Sequence, residues 1–211
     1  MTQHYKIIIE NSVNAFFENK INLESIEKFT DFLLAKNLEL NLISRKLTIN
    51  EIINDHILDC IAGFRYFYPY PTITDLGSGG GFPGILLAIV FPEKKITLVE
   101  KSPKKFQFLN DAAKLMNLEN ISLINDLAEK ANIKSDVVTC RAFKDIKTII
   151  EMTKKFFDNS GIYILYKAKI EKINEEINMA KSKFKINYDI KKLDFIKDKE
   201  RNIVIITKKT N

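Results

Sequence analysis

The feature that most limits what this chain can fold into is a crowding of glycine in one short segment. Five of its seven glycines lie in residues 77–84, directly after the strand-like run 72–76. Backbone that carries no side chains is the usual sign that a ligand lies against it. Pro83 precedes the apolar run 85–90, which predicts that a helix begins there. The segment therefore predicts a strand, a bare loop and a helix N-terminus that together bind a cofactor.

From residue 72 onward, short apolar runs alternate with helical patterns. The strand-like runs are 72–76, 96–99, 121–124, 136–140 and 162–166, and the helical patterns are 83–91, 103–117, 127–132, 145–158 and 169–183. Strands and helices in this alternation form a parallel sheet with helices on both faces. Two last strand-like runs, 184–190 and 202–207, predict a terminal β-hairpin. The predicted fold class is α/β and Rossmann-like.

The first 70 residues have a different pattern, which predicts helices. Apolar side chains recur at helical spacing after Asn22, a residue type that caps helices, and residues 48–51 have the pattern of a capping box. The Pro-Tyr-Pro sequence at 69–71 marks the junction with the sheet. We therefore divide the chain into an N-terminal helical extension, 1–70, and an α/β domain, 71–211.

Composition narrows the class of protein. The chain is 45% hydrophobic and 28% charged, which is ordinary for a globular protein, and no apolar run approaches the ~20 residues of a membrane helix. Cys60 and Cys140 have neither metal-site nor redox-motif spacing. We expect a cytoplasmic protein without a bound metal. Nothing in the sequence demands more than a monomer.

The positive charge of the chain is unevenly spread. Residues 1–70 carry 7 basic and 9 acidic side chains, whereas residues 71–211 carry 26 and 18. A basic region of this kind is compatible with a polyanionic partner such as RNA. A solvated lysine-rich surface is the competing interpretation, because only four of the 33 basic residues are arginines.

Two acidic residues stand at predicted strand ends beside the glycine segment. Asp75 lies two residues before Gly77, and Glu100 follows the second strand. An open parallel sheet binds its ligand at the carboxyl ends of the strands. A carboxylate at that edge can accept hydrogen bonds from both hydroxyls of a ribose. The pattern predicts a cofactor that contains a nucleoside.

Two classes of cofactor compete for this loop. Residues 79–84 formally match G-x-G-x-x-G, the dinucleotide fingerprint. That frame puts Pro83, which has no N–H, where a helix should receive a pyrophosphate. Residues 75–81 instead resemble the first motif of S-adenosylmethionine (SAM) dependent methyltransferases, in which an acidic residue stands two positions before the first glycine. We favour SAM, with an NAD-binding oxidoreductase as the alternative.

Several segments together resemble one family of these enzymes. They are Asn-Leu-Ile-Ser at 41–44, His-Ile-Leu-Asp-Cys at 56–60, residues 75–84 with their Gly-Phe-Pro-Gly ending, Cys-Arg-Ala-Phe at 140–143 and Tyr-Lys at 166–167. In this order and spacing, the chain is similar to the RsmG (glucose-inhibited division protein B) family from about residue 22 to its end. The resemblance implies a class I methyltransferase sheet with SAM as cofactor. It also implies methyl transfer to N7 of one guanosine in bacterial 16S ribosomal RNA, on free RNA or the small ribosomal subunit.

The resemblance also implies roles for individual residues. The implied cofactor-binding residues are Asp75, Gly77, Gly79, Phe82, Glu100, Ala128, Glu129 and Arg141. Ala128 and Glu129 are expected at the adenine end of the cofactor. Arg141, at the floor of the crevice, and Lys167 are the candidate catalytic residues. Arg141 would anchor the SAM carboxylate, a phosphate or guanine O6, and Lys167 would hold RNA phosphate.

Other interpretations stay open at this point. A methyltransferase for another RNA or a small molecule, or a protein that senses SAM without chemistry, would have the same loop. His56 is either a helix-packing residue, with Asp59 one turn later as a partner, or an RNA contact. Phe82, between glycines and a proline, is expected at the ligand surface, and Cys140 is expected to be a small buried side chain.

Overall fold

The N-terminal region is helical, as predicted. The computed structural model describes residues 3–14, 22–193 and 199–210. The helices are α1 (Gln3–Asn14), α2 (Leu23–Leu40), α3 (Ile49–Ile52) and α4 (Asp59–Ala62), with a π-helix (Ile53–Leu58) between α3 and α4 and a 3-10 turn (Phe64–Tyr66) after α4. Asn22 caps α2 by accepting from the Ser25 N–H at 3.0 Å, and Thr48 forms the predicted capping box with Glu51. No helix in the described part of the chain is long and apolar enough to cross a membrane.

The strands of the described residues form one seven-stranded sheet. They are β1 (Thr72–Leu76), β2 (Lys95–Val99), β3 (Ile121–Ile124), β4 (Val137–Arg141), β5 (Ile162–Lys167), β6 (Ile186–Lys192) and β7 (Asn202–Lys208). Their order is β3-β2-β1-β4-β5-β7-β6, parallel except for β7, which is antiparallel to both β5 and β6. The predicted α/β class and terminal hairpin are confirmed. The strand order reverses between β1 and β4, where a parallel sheet opens a crevice for ligands.

The helices between the strands follow the prediction in part. They are α5 (Gly84–Val90), α6 (Pro103–Leu115), α7 (Ile146–Met152), α8 (Lys154–Asp158) and α9 (Ile170–Lys181). The predicted helix at 127–132 is wrong, because this segment forms only turns. The helix predicted at 145–158 is divided at Thr153, whose hydroxyl bonds back to the Ile149 carbonyl and to the Tyr163 hydroxyl, at 2.7 and 2.8 Å.

Two hydrophobic cores lie on the two faces of the sheet. Ile73, Val137 and Ile164 face α5, α6 and the N-terminal helices, and neighbouring residues on the same strands face α7, α8 and α9. Phe29 of α2 and Ile57 of the π-helix are fully buried in the first core. The boundary placed at residue 70 therefore separates two sequence regions that share one core.

Candidate active site

The glycine loop, residues 77–83, joins β1 to α5 at the carboxyl edge of the sheet. The N–H groups of Gly77 and Ser78 both donate to the Val99 carbonyl, at 2.8 and 3.2 Å. Gly81 donates to the Ser78 carbonyl at 2.6 Å. These bonds fasten the loop to the end of β2, beside the point where the strand order reverses.

The loop has room for a ligand at Gly79, which we call the front of the loop. A Cβ added at Gly79 would meet only the Gly77 carbonyl oxygen, at an ordinary 3.6 Å. At Gly77 an added Cβ would lie 2.5 Å from the ring of Phe143, the second residue after β4. Both glycines have positive φ, +66° and +49° at 77 and 79, which side chains rarely adopt. Gly79 therefore presents bare backbone to the crevice, as a cofactor site requires.

At Gly80, Gly81 and Gly84, which we call the back of the loop, packing within the protein favours glycine. An added Cβ at Gly80, Gly81 or Gly84 would press against neighbouring elements. These contacts are Leu42 O at 3.3 Å for Gly80, Ile85 Cγ1 at 2.7 Å for Gly81, and Asp75 Oδ2 at 2.7 Å together with Leu98 Cδ2 for Gly84. The sequence interpretation, which attributed the whole crowding to a ligand, is thus correct only for the front of the loop.

Asp75, the residue before the last of β1, lies beneath the loop and is completely buried. Its Oδ2 accepts from the Gly84 N–H at 3.2 Å, whereas its Oδ1 has no hydrogen-bond partner. Burial raises the pKa of this carboxyl well above its usual value. Thr139, the residue paired with Asp75 on β4, also has a buried hydroxyl without a partner. Because buried polar atoms are normally hydrogen-bonded, these two mark unmet bonding capacity at the crevice.

Glu100 lies where the sequence predicted, directly after β2. Its two carboxylate oxygens accept from backbone N–H groups, Oε2 from Gly79 at 2.9 Å and Oε1 from Ser102 at 2.8 Å. Each carboxylate oxygen can accept a further hydrogen bond. Glu100 therefore holds the open part of the glycine loop in place and keeps capacity for a ligand hydroxyl.

Ala128 and Glu129 lie in the turn after β3. Ala128 is buried in the second core, and Glu129 is exposed. The Asn125 side-chain amide donates to the Glu100 carbonyl at 2.7 Å, which ties this turn to the end of β2. The two residues are thus held on the far side of Glu100 from Gly79 along the sheet edge.

Phe82 has a more enclosed position than the sequence indicated. Only 7% of it is exposed, and its ring packs edge-on against Phe29 with centroids 5.5 Å apart. The ring of His56 lies 5.1 Å from it, and the Arg141 guanidinium lies over it at 6.0 Å. Phe82 therefore joins the glycine loop to the N-terminal helices, and its contact with a cofactor stays a prediction.

Arg141, the last residue of β4, donates three hydrogen bonds to the N-terminal region. Its Nε donates to Asp59 Oδ2 at 3.0 Å, one terminal nitrogen donates to His56 Nδ1 at 2.9 Å, and the other donates to the Asp55 carbonyl. Because arginine only donates, His56 Nδ1 must be the acceptor. Burial and then the charge of Arg141 lower the pKa of His56 to about 4, so this histidine is neutral near pH 7.

Asp59 pairs with two arginines rather than with His56. The Asp59 side chain is 2% exposed, and its Oδ1 lies 3.3 Å from Nε of Arg201, just before β7. Burial raises the pKa of Asp59 against the opposing effect of both guanidinium groups. The sequence interpretation missed Arg201. Arginine occurs at only four positions in this lysine-rich chain, and this rarity is the sequence signal that could have identified Arg201.

A cleft of about 800 Å³ opens at the carboxyl ends of β4 and β5. Its wall includes Asp59, Arg141, Phe143, Lys167, Glu176 and Arg201. Lys167 Nζ donates to Glu176 Oε2 at 2.7 Å and to the Lys144 carbonyl at 2.8 Å. The volume is that of sites for small molecules or single nucleotides. Phe143 borders both this cleft and Gly77, so its ring lies between the cleft and the glycine loop at Gly77, two residues before the open Gly79.

Solved structures of other proteins share this fold. The ribosomal protein L11 methylase of Lactobacillus delbrueckii subsp. bulgaricus matches with a TM-score of 0.58 at 16% identity, over 74% of this chain and 79% of that chain. An O-methyltransferase of Bacillus cereus, solved in complex with SAH, matches with a TM-score of 0.54 at 13% identity, over 86% and 91%. The predicted Rossmann-like class I fold is confirmed.

Sequence comparison identifies the family. The family described as rRNA small subunit methyltransferase G (GidB) matches residues 22–204. The ribosomal RNA small subunit methyltransferase G of Brachyspira hyodysenteriae is 40% identical over 205 residues, 97% of this chain and all of that protein. Ribosomal RNA small subunit methyltransferase G 1 of Bdellovibrio bacteriovorus is 37% identical over 191 residues, 89% of this chain and 92% of that protein. The chain belongs to the rRNA small subunit methyltransferase G family.

Proposed function

We propose that this protein is a SAM-dependent methyltransferase that methylates N7 of a guanosine in 16S ribosomal RNA. Its family and the names of its relatives support ribosomal RNA of the small subunit as substrate. The observation that carries the proposal is the open backbone at Gly79, two residues after Gly77, whose neighbour Phe143 also lines a cleft with room for one nucleotide. A methyl donor and its acceptor can thus lie side by side.

The residues around the loop fit the cofactor. Gly79 supplies bare backbone, Glu100 has capacity for ribose hydroxyls, and the buried Oδ1 of Asp75 beneath the loop has no protein partner. Gly77 lies under the Phe143 ring, so we assign it to the cofactor only through the family resemblance. Ala128 and Glu129 would line the adenine end. When bound, SAM supplies a methyl group on a positively charged sulfur, which is open to attack by a nucleophile.

The remaining task of the protein is to hold the acceptor base, and the reaction at that base needs little proton transfer. Guanine N7 has a lone pair and carries no proton, so no side chain needs to deprotonate it first. Orientation of the two reactants supplies much of the rate in such transfers. Arg141 is fixed in the cleft wall by three partners, and Lys167 is fixed by Glu176. We assign them to hold RNA phosphate or the SAM carboxylate, away from N7, because the methylated base is itself a cation.

The structure gives a specific reason to prefer SAM over a dinucleotide. A pyrophosphate needs free N–H groups at the start of α5. Gly84 donates to Asp75 and Ile85 donates to the Gly81 carbonyl, while Pro83 has no N–H. The carboxyl of Asp75 also occupies the helix end that an anion would approach.

The test is transfer of radiolabelled methyl from SAM to small ribosomal subunits and 16S RNA from cells that lack this protein. The RNA is then cleaved chemically at 7-methylguanosine. We expect label at a single cleaved position. Label without cleavage would overturn the N7 assignment, and SAM binding without label in RNA would favour a small-molecule substrate or a SAM sensor. Binding of the RNA is expected to weaken steeply with added salt.

We also propose that the protein acts as a cytoplasmic monomer without a metal. In support, one chain supplies the loop and the cleft wall described above, and methylation at N7 requires no Lewis acid. Sedimentation of the active enzyme and its assay in a chelator test this. A dimer, or loss of activity in the chelator, would contradict it.

A further inference from the structure

One carboxylate from the N-terminal region lies between two arginines of the cleft wall. Asp59, at the start of α4, accepts a hydrogen bond from Arg141 at 3.0 Å, and its Oδ1 forms an ion pair without hydrogen-bond geometry with Arg201 at 3.3 Å. The two arginines come from opposite sides of β5, because β4 and β7 are its neighbours in the sheet. Without the Asp59 carboxylate, the guanidinium groups of Arg141 and Arg201 would lie near each other at the cleft without their shared counterion.

The backbone around Asp59 is built for this contact. The π-helix Ile53–Leu58 lies directly before it, and such turns are frequent at functional sites. Arg141 donates to the Asp55 carbonyl, the His56 ring and the Asp59 carboxylate, which all belong to this one helical segment. A change of helical register thus gathers three acceptors around one guanidinium.

Attachment of the helices to the sheet does not require this buried charge. The N-terminal region already shares the first core, and the Tyr166 hydroxyl donates to the Cys60 carbonyl at 2.7 Å. A buried ion pair is often no more stabilising than apolar residues of the same volume. The buried Asp59 carboxylate is therefore better explained by the two arginines that it orders. One carboxylate between two guanidinium groups leaves an excess positive charge at the cleft.

We propose that Asp59 is a positioning residue, which fixes Arg141 and Arg201 in the cleft wall for methyl transfer. The inference rests on the proposed function for the reaction, but the placement of the arginines is separate from it. Asp59 is assigned to act through the two guanidinium groups rather than on a reactant, because its side chain is only 2% exposed. The N-terminal region is then part of the catalytic machinery rather than an appendage.

The activity test compares Asp59→Asn with Glu51→Gln. Glu51 belongs to the exposed capping box of α3, so Glu51→Gln removes a charge from the same helical segment without touching an arginine, while glutamine keeps the capping-box pattern. We expect Asp59→Asn to lower kcat/KM for RNA methylation at least tenfold, and Glu51→Gln to lower it less than twofold. Equal losses in the two variants, or full activity of Asp59→Asn, would overturn the proposal.

A double variant separates positioning from general damage. If Asp59 acts through Arg141 and Arg201, then Asp59→Asn should lower activity by a smaller factor in the Arg141→Gln background than in the wild type. Multiplied losses would mean that the two residues act independently and would overturn the proposal.

A spectroscopic test needs no RNA. Arginine occurs at only four positions, so a protein labelled with ¹⁵N-arginine gives few Nε–H signals, which single substitutions assign. We expect the Arg141 signal of the wild-type protein to exchange slowly with solvent, because its Nε–H donates to Asp59. In Asp59→Asn the signals of Arg141 and Arg201 should move, and those of Arg45 and Arg65 should not. Fast exchange at Arg141 in the wild type would overturn the proposal even if the variant fails to fold. Absence of RNA methylation by a wild-type protein with a protected Arg141 would count against the proposed function alone.

Discussion

The two ends of the glycine loop have the same residue type for different reasons. At the front, Gly79 faces open space, and its backbone is held by the carboxylate of Glu100. At the back, Gly81 and Gly84 are pressed by Ile85 and Asp75. One end is shaped for a ligand and the other for close packing against α5 and the N-terminal region. A run of glycines can therefore combine a binding motif with a packing motif, and substitutions along it should separate the two.

The largest effect is expected at the back of the loop. Alanine at Gly84 would press on buried Asp75 and Leu98, and overpacking of this kind costs up to about 3 kcal/mol. We expect the free energy of unfolding in urea to fall by about that amount. The SAM affinity of the folded protein, measured by calorimetry, should change less than threefold. Unchanged stability would contradict the division of the loop.

The next effect is expected at the front. Alanine at Gly79 would place a methyl group on the open backbone, so SAM affinity should fall at least tenfold, about 1.4 kcal/mol. Its positive φ adds a stability cost of about 1 kcal/mol. Calorimetric titration with SAM measures the first and urea unfolding the second. Wild-type affinity in this variant would remove Gly79 from the cofactor site.

A pH measurement tests how well water is excluded from the contact between the glycine loop and the N-terminal helices, because His56 packs against Phe82 there. The pKa of His56 is about 4 in the folded protein against an ordinary 6.5. Between these values the unfolded chain binds a proton that the folded protein does not. Stability should therefore fall as pH is lowered from 6.5 towards 4, by at most about 1.4 kcal/mol per pH unit. We expect His56→Gln to have a flatter profile than the wild type in urea unfolding, and equal slopes would mean that this histidine is solvated.

The smallest effect is expected at Gly80, the boundary between the two ends. An added Cβ there would lie 3.3 Å from the Leu42 carbonyl, and the backbone has no positive φ. A shift of a few tenths of an ångström accommodates it, so Gly80→Ala should cost less than about 1 kcal/mol. SAM affinity should stay at the wild-type value. A large loss of affinity would extend the ligand surface past Gly79.

The strands were predictable because their signal is local. The predicted bounds of β1 and β3 agree with the structure, since apolar runs bounded by polar residues record strands directly. The division of the helix at Thr153 was not predictable, because it depends on a hydrogen bond to Tyr163 across the core. The failed helix at 127–132 shows the same limit, since its apolar residues serve turns that pack on the sheet.

The sequence predicted those site residues whose positions depend only on the ends of strands in a parallel sheet. Asp75, Glu100, Arg141 and Lys167 lie at or next to the carboxyl ends of strands, so the parallel sheet brings all of them to one edge. Their partners come from distant parts of the chain, and no spacing in the sequence announces such pairs. The pairing of Asp59 with two arginines and the burial of Phe82 therefore required the fold.

The ion pairs of Asp59 also have a consequence for the order of events in time. Asp59 precedes β1, whereas Arg201 follows β6. On a ribosome, the carboxylate is synthesised before the sheet, and its second arginine is synthesised only when the last strand is about to follow. We expect a nascent chain to lack a complete cleft wall until then. Because the proposed placement of Arg201 by Asp59 needs both residues, we expect this arginine pair to be ordered only late in the synthesis of the chain.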